Sequence, residues 1–334
     1  NTNTMTKQTL YPLIFTPVLK DYIWGGRNLE KLGRTIPADG VTAESWEIAG
    51  HKDGTTLVAN GALAGMPLTD LLAQYGADLV GRNNDWALER GKFPLLIKLL
   101  DANRPLSVQV HPKDDYALEH EGNELGKTEM WVILHAEPKA EVIIGVKAGT
   151  RPENFRQAIE AGELEKYLHR IPVKIGDHID VPAGTLHAIM DGVIIAEIQQ
   201  NSNTTYRVYD WNRVGADGDP RPLHVDKAMD VIKFEQVEPT LHDPKLVADE
   251  NGIRRLALVD NEYFTTERVE MRSGSTYQGL CNGDTMEIWG LISGNVAVND
   301  MRFEPIQFVL LPAALGKFSI RAVSDAVLLR TFVR

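Results

Sequence analysis

Four side chains of the chain are of the types that hold a catalytic metal ion. They are Gln109, His111, Glu129 and His187. Two imidazoles, a carboxylate and an amide oxygen form a plausible ligand set for a divalent metal. Such a set can leave one coordination position open for water or substrate, and that open position separates a catalytic metal from a structural one. The residue types therefore predict a metal-dependent active site.

The segment at residues 106–112 has the alternation of a strand that lines a polar interior. Residues two apart in a strand point to the same face, so its polar and apolar residues are expected to project to opposite sides. The polar set is Ser107, Gln109 and His111. The apolar set is Leu106, Val108 and Val110. A metal and a small polar ligand would explain why one side of such a strand is polar inside a protein.

The segment at residues 176–187 is predicted to be a tight hairpin that presents His187 from its second strand. Gly176 and Gly184 permit backbone conformations that other residues avoid, and Pro182 favours a turn. A lone histidine is usually an ordinary residue, so the prediction depends on the combination of this turn, the polar alternation and a glutamate 18 residues after His111. Six other histidines are expected to be surface or structural residues: His120, His135, His169, His178, His224 and His242.

Three basic side chains stand out on predicted strands. Lys98 is alone in an apolar strand, and a polar cavity is the favoured place for it, with a sheet edge as the alternative. Lys127, two residues before Glu129, would face the metal side. Arg207 is expected to share a face with Tyr209 and to stabilise negative charge, because a guanidinium keeps its charge and can donate to two oxygens.

Composition and charge exclude several classes of protein. The chain has 334 residues, of which 43% are hydrophobic, enough for one large domain or two. Its formal net charge of −11 argues against a general nucleic-acid binder, because phosphate backbones are held by basic surfaces. No apolar run reaches the ~18–20 residues of a membrane span. Cys281 is the only cysteine, and residues 1–8 lack a signal peptide's apolar stretch and are expected to be a frayed end. These features predict a cytoplasmic protein that binds neither nucleic acid nor membrane.

Most of the chain has the pattern of short strands bounded by Gly, Pro, Asp or Asn. The clearest are at residues 95–100, 129–135, 141–146, 193–199 and 205–210. Helical periodicity interrupts them at residues 67–79, 152–168 and 225–232. From about residue 245 the pattern is again one of strands only. A mainly β fold with helical insertions is therefore expected.

Taken together, these segments resemble type I mannose-6-phosphate isomerases (phosphomannose isomerases) in their shorter bacterial form, which belong to the cupin superfamily. The two candidate metal segments resemble the two metal-binding motifs of cupins. The wider resemblance covers about residues 11–235 and includes, in family order, Tyr22-Ile23-Trp24-Gly25-Gly26, Ala43-Glu44-Ser45-Trp46, Phe93-Pro94-Leu95-Leu96-Ile97-Lys98, Lys127-Thr128-Glu129-Met130-Trp131 and Tyr206-Arg207-Val208-Tyr209-Asp210-Trp211.

The resemblance implies two cupin-type β-barrel (jelly-roll) domains. Residues 1–240 would form a catalytic metal-binding domain with helical insertions at about 66–82 and 151–170. Residues 241–334 would form a degenerate cupin-like β domain without metal ligands, with an unrelated β-sandwich as the alternative. In this tail, residues 312–317 align with residues 182–187, which places Lys317 at the position of His187.

The resemblance also implies roles for individual residues. It implies one zinc ion per chain, bound by Gln109, His111, Glu129 and His187. The implied catalytic residues are Lys98, Lys127, Glu197 and Arg207. The implied substrate-binding residues are Trp24, Glu44 and Ser107. The ligand types alone would also suit manganese or iron. The family's usual aspartate shortly before the arginine is Asn203 here, which puts an acid–base role at that position in question.

The implied reaction interconverts mannose 6-phosphate and fructose 6-phosphate through an enediol(ate). It needs an electrophile for the developing oxyanion, an acid–base group near C1 and C2, and cations for the phosphate or other negative charge. The base remains open between Glu197, Lys127 and metal-bound water. The alternatives are another metal-dependent cupin enzyme, such as a different sugar isomerase or a dioxygenase, and a non-catalytic sugar-phosphate-binding cupin. A small sugar phosphate is the expected partner, and the oligomeric state is not readable from the sequence.

Overall fold

The structure is a computed structural model that describes residues 6–334, so the predicted frayed start falls partly outside the described residues. The strands are β1 (Phe15–Thr16), β2 (Val18–Lys20), β3 (Glu44–Ile48), β4 (Gly50–His51), β5 (Gly54–Thr55), β6 (Leu57–Val58), β7 (Leu95–Ala102), β8 (Val108–Val110), β9 (Glu129–Ala136), β10 (Glu141–Val146), β11 (Leu168–Pro172), β12 (His178–Val181), β13 (His187–Ile189), β14 (Val193–Gln200), β15 (Tyr206–Tyr209), β16 (Lys245–Glu250), β17 (Ile253–Asp260), β18 (Thr265–Met271), β19 (Thr276–Cys281), β20 (Glu287–Ser293), β21 (Val296–Val298), β22 (Met301–Phe303), β23 (Phe308–Leu311), β24 (Gly316–Ala322) and β25 (Ala326–Phe332). The α-helices are α1 (Leu68–Tyr75), α2 (Ala77–Val80), α3 (Asp85–Leu88), α4 (Asp114–His120), α5 (Pro152–Ala161) and α6 (Val225–Val231). Short 3₁₀ helices lie at Asn28–Leu32, Arg82–Asn84 and Leu164–Tyr167.

The predominance of strands among these elements confirms the predicted mainly β fold. Within residues 6–334, none of the helices has the length and apolar character needed to cross a membrane.

The strands and helices group into two compact units. The central unit consists of Leu19–Trp46 and Leu95–His242, and the terminal unit consists of the residues up to Val18, Glu47–Pro94 and Asp243–Arg334. This grouping differs from the predicted division at residue 240, because the helical segment at about residues 66–82 belongs to the terminal unit. Backbone hydrogen bonds tie it there: the N–H of Met286 donates to the carbonyl of Val80 at 3.0 Å, and the N–H of Asn83 to that of Asp284 at 2.9 Å.

Two sheets form the central unit. One has the strand order β12-β9-β14-β7-β3-β2, and the other has the order β11-β10-β13-β8-β15. Apolar side chains of both sheets pack into one core, among them Leu100, Ile133, Val142, Ile189 and Ile195. The shared core holds the two sheets against each other, as in a β-sandwich or barrel.

Charged residues continue the inward face of the same strands beyond this core. Lys98 lies two residues before the core residue Leu100 on β7, and Glu197 lies two residues after Ile195 on β14. Because residues two apart share a face, both charged side chains point into the space between the sheets. Glu129 does the same at the start of β9, and all three are buried. The strands thus build an apolar core that passes into a polar interior.

Helices cover the outer face of the five-stranded sheet. Phe155 and Ile159 of α5 and Ala228 of α6 pack with Val108 and Val110 of β8. The apolar side of the segment at residues 106–112 therefore faces helices, as the alternation predicts for these two valines. Leu106 is an exception, because it precedes β8 and packs in the core between the sheets.

Two of the three predicted helices differ from their expected extent: one ends early and the other is interrupted. The helix expected at residues 152–168 stops at Ala161, because Gly162 adopts the left-handed conformation with φ of 67°, and a short 3₁₀ helix follows. The helix expected at residues 67–79 is interrupted at Gly76, between α1 and α2. The third predicted helix is confirmed as α6, Val225–Val231.

The sheets of the terminal unit repeat the strand arrangement of the central unit. Their orders are β16-β17-β18-β25-β20-β23 and β19-β24-β21-β22. Thus β23-β20-β25-β18 corresponds to β12-β9-β14-β7, and β22-β21-β24-β19 corresponds to β11-β10-β13-β8. This repetition is what the predicted degenerate second cupin domain would show.

The inward position expected for Lys317 is occupied by Phe318. Lys317 is exposed, whereas Phe318 is buried and lies near Trp289, with ring centroids 6.4 Å apart. Because successive residues of a strand point to opposite faces, only one of the two can face the interior of β24. Lys317 therefore points away from the interior, unlike His187, the residue with which it aligns in sequence.

A buried cluster of opposite charges lies in the terminal unit, at the place that corresponds to the charged interior of the central unit. The corresponding rows across three strands are Lys98–Glu197–Trp131 in the central unit and Glu267–Arg330–Trp289 in the terminal unit. Arg330 donates from NH1 to Oε1 of Glu267 at 2.9 Å and from Nε to Oε1 of Glu287 at 2.6 Å. Arg255 also pairs with Glu267 at 3.3 Å, so two guanidinium groups balance the two carboxylates of this cluster.

Candidate active site

Three of the four predicted metal ligands form one buried cluster. Nε2 of His111 lies 3.6 Å from Oε2 of Glu129, and Nε2 of His187 lies 3.3 Å from Oε1 of the same carboxylate. Each of the three residues is 1% exposed. Their positions at strand ends bring them together, since His111 follows β8 while Glu129 and His187 begin β9 and β13.

The fourth candidate ligand, Gln109, lies next to this cluster in the sheet. It is the register partner of His187 on the neighbouring strand. The hydroxyl of Ser107 donates to Oε1 of Gln109 at 3.4 Å, so both side chains point to the same side, as predicted. The amide oxygen of Gln109 can therefore serve as a further ligand.

Backbone carbonyl groups fix the orientation of both imidazoles. Nδ1 of His111 donates to the carbonyl of Thr204 at 2.9 Å, and Nδ1 of His187 donates to the carbonyl of Thr185 at 2.8 Å. A carbonyl can only accept, so each Nδ1 carries the hydrogen and each Nε2 presents a lone pair to the cluster. Among the residues that the structure describes, none forms a hydrogen bond to either Nε2 or to Oε2 of Glu129. Buried lone pairs without a donor are what a cation site requires.

The spacing of these atoms fits a zinc ion. The three ligand atoms all lie within 4.8 Å of one another. With metal–ligand distances of about 2.1 Å, the ligand atoms of a tetrahedral zinc site lie about 3.4 Å apart. Each carboxylate oxygen of Glu129 lies at about this distance from one imidazole nitrogen, Oε1 at 3.3 Å from His187 and Oε2 at 3.6 Å from His111.

The turn before His187 crosses between two sheets, so the prediction of a hairpin was wrong. β12 belongs to the six-stranded sheet, whereas β13 belongs to the five-stranded sheet. Gly184 has a φ of 90°, and a Cβ there would lie 3.0 Å from the side chain of Lys233. Its N–H donates to the carbonyl of His111 at 2.8 Å. The turn therefore ties the backbone around one histidine ligand to the backbone of the other.

Buried charged side chains adjoin the metal ligands. Nζ of Lys98 lies 3.5 Å from Oε1 of Glu44 and 3.8 Å from Oε1 of Glu197. Nζ of Lys127 lies 3.9 Å from Oε2 of Glu129. Lys98 thus points into a polar cavity, as the sequence favoured. The carboxylates of Glu44 and Glu197 and the ammonium groups of Lys98 and Lys127 thus form one buried charged group beside Glu129.

Burial and neighbouring charges set the protonation of the ligands. Burial lowers the pKa of His111 to about 3 and also lowers the pKa of His187, so both imidazoles are neutral at pH 7. Burial disfavours ionisation of Glu129, but His111 and Lys127 outweigh it and hold the pKa of this carboxyl below its usual range. Neutral imidazoles and an ionised carboxylate are the forms that bind metal.

The pKa values of the other buried groups are shifted in different directions. Burial, and then the charge of Glu129, raises the pKa of Glu197 to about 8. Burial, and then Lys98, lowers the pKa of Lys127. For Lys98, burial lowers the pKa, but Glu44 and Glu197 outweigh it and raise the pKa above its usual value. Lys98 is therefore a permanent cation, whereas Glu197 exchanges its proton near neutral pH.

Arg207 lies in the same row of the sheet as two metal ligands. It is the register partner of Gln109, which in turn is the register partner of His187. Neighbouring strands are about 4.8 Å apart, so the row places the backbone of Arg207 about 10 Å from that of His187. NH1 of Arg207 donates to the carbonyl of Pro222 at 3.0 Å. Its buried Nε–H has no hydrogen-bond acceptor in the described part of the chain.

Arg221 adds a second guanidinium near Arg207, and no sequence pattern marks it as a site residue. Asp210 orients Arg221 through two hydrogen bonds of 2.8 Å and also pairs with Arg213 at 2.9 Å. Burial, and then the charge of Arg221, lowers the pKa of Arg207 to about 10. Three guanidinium groups share one carboxylate here, which leaves an excess of positive charge.

The prediction that Tyr209 shares a strand face with Arg207 was wrong. The pairing of β15 with β8 shifts its register between Arg207 and Tyr209, as at a β-bulge. The shift turns Tyr209 toward the helix-covered core, where it packs with Tyr206 and Val208. Arg207 keeps the inward direction that the alternation predicted.

One cavity of about 300 Å³ is lined by Glu129 and Gln109 of the candidate metal site together with the buried charged groups, Arg207 and Arg221. Its volume is at the lower end of ligand pockets, which suits a molecule of sugar size. The predicted residues that line it are Trp24, Glu44, Lys98, Ser107, Gln109, Lys127, Glu129, Glu197 and Arg207. The lining residues that the sequence did not suggest as site residues are Tyr22, Leu100, Leu106, Ile189, Asn203, Thr205 and Arg221.

Comparisons with known proteins identify the family. A family model described as the catalytic domain of type I phosphomannose isomerase matches residues 13–126. The chain is 39% identical, over 322 residues, to the probable mannose-6-phosphate isomerase GmuF of Bacillus subtilis, covering 94% of this chain and 98% of that protein. The chain belongs to the mannose-6-phosphate isomerase family. The resemblance that the motifs indicated is thereby confirmed.

Solved structures of mannose-6-phosphate isomerases have the same fold. The enzyme of Bacillus subtilis is 34% identical, with a TM-score of 0.84 and coverage of 96% of this chain and 99% of that one. A mannose 6-phosphate isomerase bound with zinc and yttrium is 14% identical, with a TM-score of 0.75 and coverage of 97% and 99%, and shows the likeness of fold alone.

Proposed function

We propose that this chain is a metal-dependent aldose–ketose isomerase that interconverts mannose 6-phosphate and fructose 6-phosphate through an enediol(ate). One observation carries the proposal: a cavity of about 300 Å³ is lined by Glu129 of the two-histidine, one-carboxylate cluster, by buried acid–base groups and by two arginines. Membership of the mannose-6-phosphate isomerase family supports the choice of substrate.

We assign one zinc ion per chain to His111, Glu129 and His187, with Gln109 as the fourth protein ligand. A zinc ion held by these residues would act as a Lewis acid and would stabilise negative charge that develops on the oxygens of the substrate. The carbonyl groups of Thr204 and Thr185 keep both imidazoles in the tautomer that leaves Nε2 free. The ligands therefore need no proton loss before they bind zinc.

Glu197 and Lys127 are the side chains that we assign to proton transfer between C1 and C2. Both line the cavity and are buried. A carboxyl group with a pKa of about 8 is present in both protonation states near neutral pH, as a group that alternates between base and acid must be. Lys98, 3.8 Å from Glu197, holds the carboxylate in place and stabilises its charged form.

Arg207 and Arg221 are assigned to the negatively charged phosphate end of the substrate. The free Nε–H of Arg207 can donate to an anion in the cavity. Asp210 holds Arg221 in one orientation, so little conformational entropy is lost when Arg221 binds phosphate. The separation of about 10 Å between the backbones of Arg207 and His187 spans an extended hexose phosphate, with the reacting carbons at the metal.

Trp24, Glu44 and Ser107 are assigned to the sugar itself. All three line the cavity. The carboxylate of Glu44 and the hydroxyl of Ser107 can hydrogen-bond sugar hydroxyl groups, and the indole of Trp24 offers an apolar surface for the C–H face of the chain. We assign no metal to the terminal unit, where Arg330 and Arg255 already pair with the buried carboxylates. The single cysteine, which is buried, suits a cytoplasmic enzyme.

The experiment that tests this function uses the zinc-loaded protein and mannose 6-phosphate in the absence of oxygen. Formation of fructose 6-phosphate, followed by NMR of the ¹³C-labelled sugar, is the expected result. The same equilibrium mixture must be reached from fructose 6-phosphate. Conversion that requires oxygen would instead indicate a dioxygenase, and no conversion by protein with one zinc per chain would indicate a binding role.

A further inference from the structure

We propose that Trp131 is a positioning residue for the metal centre, because its indole N–H fixes the orientation of the Glu129 carboxylate. The inference rests on the proposed function, in that Glu129 must be a metal ligand. Trp131 touches neither the metal nor the sugar in this proposal. It acts through Glu129.

The contacts in the central unit support this role. Nε1 of Trp131 donates to Oε1 of Glu129 at 3.2 Å. Both residues are buried and lie two apart on β9, so their side chains share the inward face. The ring of Trp131 also lies edge-on to the ring of His187, with centroids 5.6 Å apart. One side chain thus contacts two of the three clustered ligands.

Lys127 and the two histidine ligands, the other neighbours of the Glu129 carboxylate, are less able to orient it. Nζ of Lys127 lies 3.9 Å from Oε2, which is beyond hydrogen-bonding distance. Each histidine ligand uses its Nδ1–H for a backbone carbonyl and has only a lone pair to direct at the carboxylate. Within residues 6–334, the indole of Trp131 is therefore the group that donates a hydrogen bond to Glu129.

The terminal unit contains a corresponding tryptophan–glutamate pair, in which the carboxylate binds a guanidinium. Trp289 donates from Nε1 to Oε1 of Glu287 at 3.1 Å, again two residues apart on the corresponding strand. There the carboxylate accepts from the guanidinium of Arg330 at 2.6 Å. In each unit, a tryptophan holds a buried carboxylate for a cation, which is a guanidinium in the terminal unit and the metal in the central unit.

A pair of matched substitutions tests the inference. Trp131→Phe keeps an aromatic ring but removes the N–H, and Trp289→Phe makes the same change where no metal is bound. Removal of a group that orients a metal ligand typically weakens metal binding by about 10–100-fold. Zinc affinity, measured by competition with a chromophoric chelator, is expected to fall by about this factor in Trp131→Phe and to stay within about twofold of the parent protein in Trp289→Phe.

Two results of this experiment would overturn the inference. One is a zinc affinity of Trp131→Phe within about twofold of the parent value. The other is an equal loss in both variants, since that would indicate general destabilisation instead of a local effect. If the parent protein itself binds no zinc and does not isomerise mannose 6-phosphate, the proposed function fails as well; if it does both, only the role of Trp131 is at stake.

A second measurement on the parent protein decides the matter if Trp131→Phe does not fold. Indole ¹⁵N–¹H resonances of protein labelled at tryptophan are followed during titration with zinc. The resonance of Trp131 is expected to shift, because its acceptor becomes a metal ligand, whereas that of Trp289 is expected to stay in place. A Trp131 resonance that does not respond to one equivalent of zinc contradicts the proposal.

Discussion

Gln109 and His187 lie directly opposite each other on the neighbouring antiparallel strands β8 and β13. Arg207 occupies the next position of the same row, on β15. The ladder of backbone hydrogen bonds therefore sets the distance between the metal ligands and the arginine. Sites built on strands hold their geometry better than sites built on loops, which suits a reaction that requires fixed positions for two ends of one substrate.

His187→Ala is expected to abolish metal binding, because the remaining ligands cannot replace an imidazole lone pair at the centre of the cluster. Zinc content, measured by atomic absorption after gel filtration, should fall from one per chain to near zero. His135→Ala is the matched control, since His135 lies on β9 but pairs with Glu137 near the surface. Stoichiometric zinc in His187→Ala would overturn the ligand set.

Arg207→Ala is expected to lower kcat/KM for mannose 6-phosphate by about 10²–10³-fold, because the phosphate loses a charged hydrogen-bond donor. Its zinc content should be unchanged, because Arg207 is not in the metal cluster. Arg151→Ala, at the exposed start of α5, should retain the parent kcat/KM. Loss of zinc together with turnover would make Arg207 a structural residue.

The strand positions of these residues could be predicted because two-residue periodicity is a local property. The shared face of Gln109 and His111 follows from alternation alone, and Lys98 is conspicuous as a charge in an apolar strand. The bulge that turns Tyr209 outward depends on pairing with β8, which the sequence of β15 does not reveal. Arg221 lies in an irregular loop and has no periodicity to mark it.

The turn at residues 182–187 shows a second limit of sequence reasoning. The same glycine and proline chemistry serves a hairpin within one sheet and a crossing between two sheets. Only the partners of the flanking strands distinguish the two cases, and these partners are distant in sequence. The membership of Glu47–Pro94 in the terminal unit depends in the same way on long-range contacts. Trp131 did carry a local signal, the two-residue spacing from Glu129, but that spacing acquires meaning only from the hydrogen bond.

Glu197 gives a pH dependence of stability in metal-stripped protein. Its folded-state pKa of about 8 lies above the ordinary value of 4.5, so between these values the folded state binds a proton that the unfolded state has released. The free energy of unfolding must therefore fall as the pH rises through this window. Because the amide of Glu197→Gln does not ionise, this variant is expected to lack that fall in the free energy of unfolding.

Urea unfolding of metal-stripped protein at pH 5 and pH 8 measures the effect of Glu197. The stability of Glu197→Gln relative to the parent protein is expected to increase from pH 5 to pH 8. Glu153→Gln, in the exposed first turn of α5, serves as the control and should show no such change. A difference between Glu197→Gln and the parent that is the same at both pH values would contradict the shifted pKa.

Arg330→Met is expected to destabilise the protein without removing its metal site. The substitution leaves Glu267 and Glu287 buried after loss of the guanidinium that binds both. Breaking a buried ion pair on one side typically costs about 3–5 kcal/mol. Arg321→Met, which changes an exposed arginine on β24, should alter stability by less than about 0.5 kcal/mol. Unfolding in guanidinium chloride measures both, and a loss below about 1 kcal/mol in Arg330→Met would show that the cluster is not needed for stability.

The most direct test of the account is a titration of isomerase activity with zinc. The protein is stripped with a chelator, freed of it, and assayed for conversion of mannose 6-phosphate to fructose 6-phosphate with a coupled enzyme after each addition of metal. The account predicts no activity in the stripped protein and a linear return that stops at one zinc per chain. Full activity in protein shown to contain no metal, or a return that requires two ions per chain, would contradict it.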